Sequence, residues 1–149
     1  MSKKPCFVFD IDGTLADSAW RTPLIQQKPK NWKGFKACAE YDQPLRAVYQ
    51  VYKALRQSGV AILLLTGRSS EDMSITQDWL TNWGITFDGL YMRPPDNSRP
   101  DYIVKGEWMD VIQRTYEVLG IFEDRKQCCD EWNRRGIFCF DVGQGKGDF

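Results

Sequence analysis

Short apolar runs alternate along this chain with longer stretches whose apolar residues recur at helical spacing. Residues 6–9 (CFVF) are apolar and closed by an acid, the pattern of a buried parallel strand. Residues 60–65 (VAILLL) form a second, stronger run. Weaker runs lie at 87–92, 119–122 and 137–140. Between them, residues 44–58 put Leu45, Val48, Tyr49, Tyr52 and Leu55 on one helical face, and Gly59 stops the helix. Residues 70–83, 101–118 and 126–135 read as three further helices. Strand and helix in alternation predict an α/β fold: three layers, with a parallel sheet of about five strands between helices. In such sheets the ligand lies beyond the carboxyl ends of the strands, at a topological switch point. Chemistry is therefore sought in the residues that end each apolar run.

Residues 16–42 break the alternation. This long connection has no sustained period and no acid from 21 to 36, yet carries Arg21, Lys28, Lys30, Lys33 and Lys36 with Trp20, Trp32 and Phe35. A connection of that length in a compact domain is functional or disordered. Two readings stay open. Its cations and rings can meet phosphates and bases, or it is a solvated basic loop whose aromatics pack inward. A second loop, 93–100 (RPPDNSRP), is stiffened by three prolines.

Composition narrows the chemistry. The 149 residues suit one domain, spanning 1–149 with the insert at 16–42. Lys plus Arg and Asp plus Glu are 20 each, so a generally basic nucleic-acid coat is excluded, though a local patch is not. There is no histidine, which removes Ser-His-Asp and Cys-His triads and His-ligated zinc. No stretch reaches the ~18 apolar residues of a membrane helix, and Asp10 and Asp12 break the N-terminal run too early for a signal peptide. Five cysteines, an odd count without paired CxxC spacing, suit free thiols and a cytoplasmic location.

The first run ends in Asp10-Ile11-Asp12-Gly13-Thr14. An EF-hand loop is excluded because its twelfth position is Arg21 rather than Glu. Two carboxylates at a strand end remain, one able to attack phosphorus and the other to shuttle a proton. Gly13 permits a sharp turn. Thr66-Gly67-Arg68 follows the second run and offers a hydroxyl and amides to phosphate oxygens. Lys105 can neutralise developing charge. Glu123 and Asp124 follow the fourth run, where carboxylates beside Asp10 would hold Mg²⁺. Each feature alone also fits a solvated turn or helix end; their joint order points to a site.

At these residues the chain resembles the haloacid dehalogenase (HAD) superfamily of phosphohydrolases. In more detail it is similar to the 3′-phosphatase domain of phage polynucleotide kinase-phosphatase. That similarity runs through FDIDGTLA (9–16), TGR (66–68), DYIVK (101–105), EDR (123–125), EWNRRGI (131–137) and GDF (147–149). The resemblance implies a Rossmann-like HAD fold. It makes Asp10 the nucleophile, Asp12 the general acid/base, Thr66 a phosphoryl ligand and Lys105 its stabiliser. It assigns the metal to Asp10, the Asp12 carbonyl and Asp124, with Glu123 standing where the family commonly has Asp. It gives Arg21, Arg68, Gly67 and Asp101 to the substrate. No G-x-x-x-x-G-K-[ST] motif is present, so a phosphatase without a kinase is expected. The insert is too short for a large cap, and an open site admits polynucleotide ends. The implied activity is Mg²⁺-dependent removal of 3′-phosphates from nucleic-acid ends through an aspartyl-phosphate. The alternatives are a phosphatase of free nucleotides or small phosphometabolites, and a weakly catalytic phosphate- or nucleic-acid-binding module.

Overall fold

The computed structural model describes residues 2–144. Gly147–Phe149 and most of the glycine-rich tail lie outside them. The central strand is β1 (Lys4–Phe9). Its two flanks differ in when the chain reaches them. Strand β4 (Ala61–Ser69) pairs with one edge of β1 and is followed outward by β5 (Gly89–Arg93). Strand β6 (Tyr116–Glu123) pairs with the other edge, with β7 (Cys139–Asp141) beyond it. All four pairings are parallel, and Val8 stands opposite Leu63 on one side and Ile121 on the other. The switch point is therefore between β1 and β6, at their carboxyl ends.

Both faces of the sheet are covered, as the uninterrupted apolar runs require. Phe9, Ile62, Leu64 and Phe122 pack with Val48 and Tyr52 of α3 (Arg46–Gln57) and with Trp79 and Leu80 of α4 (Met73–Asn82). Cys6, Val8, Leu63, Leu65 and Ile121 pack on the opposite face. Their partners are Met109 and Ile112 of α5 (Asp101–Ile112) and Cys128 and Trp132 of α6 (Lys126–Arg134). All five cysteines are free thiols. Among the described residues no helix is long and apolar enough to cross a membrane.

Several boundaries differ from the sequence reading. The helix expected over 101–118 stops at Ile112, and β6 begins at Tyr116. Residues 116–119 alternate half-buried and exposed, a period of two hidden beside the helix pattern. Thr66, Gly67 and Arg68 lie within β4, where the ladder to β5 becomes irregular between Leu65 and Ser69. They end the strand rather than follow it. Residues 70–72 form a 3-10 turn, and the α-helix starts only at Met73. The third and fifth strands sit one or two residues later than their apolar runs.

The insert is folded rather than structureless. Strand β2 (Ala16–Asp17) pairs antiparallel with β3 (Gln43–Pro44), so its ends are fastened together. Between them run a 3-10 turn (Ala19–Arg21), α1 (Pro23–Gln26), α2 (Trp32–Ala37) and a second 3-10 turn (Cys38–Tyr41). The segment buries Ile25, Phe35 and Ala39, and the second turn packs on α4.

Candidate active site

Asp10 closes β1, its amide donating to the Phe122 carbonyl at 3.0 Å. Its carboxylate is held at both oxygens. Oδ1 accepts from Lys105 Nζ at 3.0 Å, and Oδ2 accepts from Thr14 Oγ1 at 3.0 Å. Lys105 comes from the second turn of α5, is 2% exposed, and also donates to Glu123 Oε1 at 2.9 Å. Burial pulls its ammonium pKa down, but Asp10 and Glu123 outweigh this and hold it charged.

Asp10, Glu123 and Asp124 bring carboxylate oxygens within 4.8 Å of one another at the ends of β1 and β6. Burial raises the Asp124 carboxyl, and the Asp10 charge and hydrogen bond and the Glu123 charge raise it further against Lys105. Burial and Asp10 raise Glu123 in the same way. One ammonium does not balance three acids, and an all-oxygen donor set suits Mg²⁺. The residues fit the ion. Gly13 makes the room: its φ is +77°, and a Cβ there would lie 2.1 Å from Asp124 Oδ2. The Glu123 carboxylate meets Lys105 and the Trp132 indole N–H (3.5 Å) through the same oxygen.

Asp12 is clamped by two arginines. Arg68 donates from Nε to Oδ2 at 3.0 Å and from Nη2 to Oδ1 at 2.6 Å. Arg21 Nη2 reaches Oδ1 at 2.7 Å. Burial pushes the Asp12 carboxyl up, but the charges and hydrogen bonds of Arg68 and Arg21 outweigh it and hold it well below the usual carboxylate range. Arg21 is itself buried. Asp42 accepts from its Nε (2.9 Å) and Nη2 (2.7 Å), the Phe35 carbonyl accepts from Nη1 (3.0 Å), and the Phe35 ring lies 4.2 Å from its guanidinium carbon.

A second carboxylate, Asp101 at the start of α5, is held by Arg93 and by Arg125 Nη1 at 2.7 Å. Burial raises Asp101, but Lys105, Arg125 and Arg93 outweigh it and lower its pKa. Gly67 lies against Asp101 so closely that a Cβ would meet Oδ1 at 2.6 Å. Arg93 also donates to the carbonyls of Gly67 (3.0 Å), Asn97 (3.0 Å) and Arg99 (2.6 Å), pinning the proline-rich loop to the strand end.

A cleft of about 820 Å³ opens over these groups. Asp10, Asp12, Arg21, Gly67, Arg68, Asp101, Lys105, Glu123 and Asp124 all line it. Thr66 stands behind the wall, 1% exposed, its hydroxyl accepting from the Arg68 amide at 3.1 Å. Of the insert's four lysines only Lys36 lines the cleft, together with Trp32 and Phe35. The sequence reading assigned no role to Thr14, Asp42, Arg93 or Arg125. Thr14 and Arg125 sit inside motifs it quoted and Arg93 directly follows the third apolar run, but Asp42 carries no local signal.

A family model for the polynucleotide kinase PNKP phosphatase domain matches residues 4–149. The chain belongs to that family. It is a HAD-type phosphatase domain, a phosphoric monoester hydrolase by class. A chain from the structure of the Pnkp1/Rnl/Hen1 RNA repair complex is 30% identical with a TM-score of 0.78. That match covers 95% of this chain and 43% of the other, so the chain spans less than half of that relative. A haloacid dehalogenase-like hydrolase from Streptococcus pneumoniae shares the fold at 20% identity and TM-score 0.65, covering 95% and 85%. A class C acid phosphatase from Bacillus anthracis, solved with tungstate bound, does so at 16% and 0.67, covering 93% and 68%.

Proposed function

We propose that this PNKP-type phosphatase domain removes 3′-phosphates from nucleic-acid ends by a Mg²⁺-dependent, aspartyl-phosphate route. The observation that carries the reading is Asp10: a strand-end carboxylate pinned between Lys105 and Thr14, on the floor of an open cleft, within 4.8 Å of two further carboxylates. The cleft exceeds what a bare phosphate needs, and the likeness to a chain of the Pnkp1/Rnl/Hen1 RNA repair complex favours a polynucleotide end.

Asp10, Asp124 and the Asp12 carbonyl would hold the ion, with Glu123, which accepts from Lys105, beside them. Mg²⁺ would supply positive charge that lets an anionic carboxylate approach an anionic phosphate. A phosphoryl group entering the cleft takes N–H donors of Arg21 and Arg68, and this frees Asp12 from its clamp. An Asp10 oxygen attacks phosphorus and the bond to the 3′-oxygen breaks; Asp12, which takes up a proton from solvent once the arginines turn to the phosphate, passes it to that oxygen. Asp12 then takes a proton from water, whose oxygen attacks the acyl-phosphate. The bond from phosphorus to Asp10 breaks and inorganic phosphate leaves. Lys105 stays protonated and offsets charge gathering on the phosphoryl oxygens. Thr66 supports the Arg68 amide, and Gly67 and Asp101 shape the opposite wall.

The test is phosphate release from a 3′-phosphorylated oligonucleotide, with Mg²⁺ or chelator, by the wild type and Asp10→Asn. Release that needs the metal and vanishes in the variant is expected. Turnover by folded Asp10→Asn would end the covalent route. A wild type that hydrolyses only small phosphate esters would move the substrate to nucleotides or metabolites.

A further inference from the structure

The fold gives the insert's three aromatic rings different surroundings. Trp20 is tied down by its indole N–H, which donates to Asp42 Oδ1 at 2.8 Å, and it does not line the cleft. Phe35 is buried beneath the Arg21 guanidinium. Trp32 has neither restraint. It lies one turn before Phe35 in α2, ring nearly perpendicular at 86°, centroids 5.7 Å apart. It is 47% exposed on the cleft that holds Asp10.

This ring stands on a fixed base. The Asn31 side chain caps α2 by accepting from the Gly34 amide at 2.8 Å. Phe35 beneath it is held by Arg21, and Arg21 by Asp42 and Asp12. Packed groups thus run unbroken from the indole to the proposed proton donor. Lys30 Nζ lies over the ring, 5.8 Å from its centroid, and Lys36, 3.8 Å from the Asp72 carboxylate, lines the cleft with it. A half-exposed, rigidly mounted ring with lysines about it, on the cleft of a phosphate-handling centre, matches a nucleobase stacked on the face Lys30 leaves, whose own phosphates meet the cations.

We infer that Trp32 is a stacking platform for an unpaired base at or next to the 3′ end, seated while the terminal phosphate reaches Asp10. Lys36 meets the adjoining phosphodiester. The inference rests on the proposal that the substrate is a nucleic-acid 3′-phosphate. Stacking uses the π-face that every base has, so the platform tolerates any sequence and serves DNA and RNA alike.

The experiment compares wild type, Trp32→Ala and Trp32→Phe on three substrates: an oligonucleotide 3′-phosphate, the same strand abasic at either of its two last positions, and phenyl phosphate. Wild-type kcat/KM is expected to fall about 5- to 100-fold when the stacked base is removed, and Trp32→Ala to show no such dependence. Trp32→Phe keeps a ring and most of the preference. Equal sensitivity of wild type and Trp32→Ala to the abasic change would overturn the platform alone. A wild type active on phenyl phosphate but inert on every oligonucleotide would overturn the nucleic-acid reading and the platform with it. Thermal melting of Trp32→Ala, whose ring is half in water, is expected to match wild type; a large drop would show a packing role instead.

Discussion

Arg21 and Asp42, 21 residues apart in the chain, meet in a two-point ion pair whose side chains are 1% and 0% exposed. The pair stands at the foot of the insert and aims the Arg21 Nη2 at Asp12. Breaking a buried pair strands a charge, which costs about 3–5 kcal/mol. Asp42→Ala should therefore lower the melting temperature markedly and raise KM for phosphate esters. Arg21→Lys should not rescue activity, because an ammonium cannot reach Asp12, Asp42 and the Phe35 carbonyl together. An Asp42→Ala protein that melts and binds as wild type would refute this.

Lys105 and Glu123 invite a double-mutant cycle. Lys105→Met leaves Asp10 and Glu123 facing each other in a buried site, and should cost about 3–5 kcal/mol in urea denaturation. Adding Glu123→Gln removes one of the opposed charges and should return part of the loss. Purely additive effects would mean the two side chains do not act as a pair. Neither protein should turn over, since the ammonium next to Asp10 is gone in both.

Gly13→Ala tests the crowding around Asp124. The alanine must hold φ near +77° and push the Asp124 carboxylate away from a point 2.1 Å off. Activity should fall at least about tenfold, with a higher Mg²⁺ concentration needed for half-maximal rate. Isothermal titration with Mg²⁺ gives a readout independent of turnover. Unchanged Mg²⁺ affinity would contradict the assignment of Asp124 to the ion.

Asp88 gives a pH test away from the site. Its carboxylate accepts from Arg56 Nη1 at 2.6 Å and from the Ile62 amide at 2.9 Å, and these bonds lower its pKa. A carboxyl lowered by folding stabilises the protein above its unfolded pKa of about 3.9, and that gain is lost as pH falls through the folded value. Asp88 is about one-third exposed, so the gain is small, about 0.5–1 kcal/mol. Asp88→Asn should be less stable than wild type at pH 7 and equal to it near pH 2–3. A gap of the same size at both pH values would show that the charge is not the cause.

The strand ends were legible because each aliphatic run stops at a polar residue, and the sheet delivers those stops to one edge. Asp10, Glu123 and Asp124 could be found that way, whereas Lys105 lies in the second turn of α5 and was reached from the helix pattern. The start of β6 could not, because Tyr116 and Val118 fit a helical face as well as an alternating strand. Asp42 was hidden for a different reason. Its partner is far along the chain, and an acid next to a short strand has no periodicity to betray burial. The insert's fold was equally illegible: α1 and α2 are four and six residues long, too short to set up a repeat.

The ladder that joins Ala16–Asp17 to Gln43–Pro44 makes the insert a loop closed at its own neck. Chain inserted or deleted beyond that neck changes the closure cost only slowly, by about 0.6 kcal/mol for each doubling of length. Residues 22–34 and 36–41 can then be exchanged while Phe35 and Asp42 keep Arg21 on Asp12. Substrate preference in this scaffold is thus open to grafting, with the reactive carboxylates left where they stand.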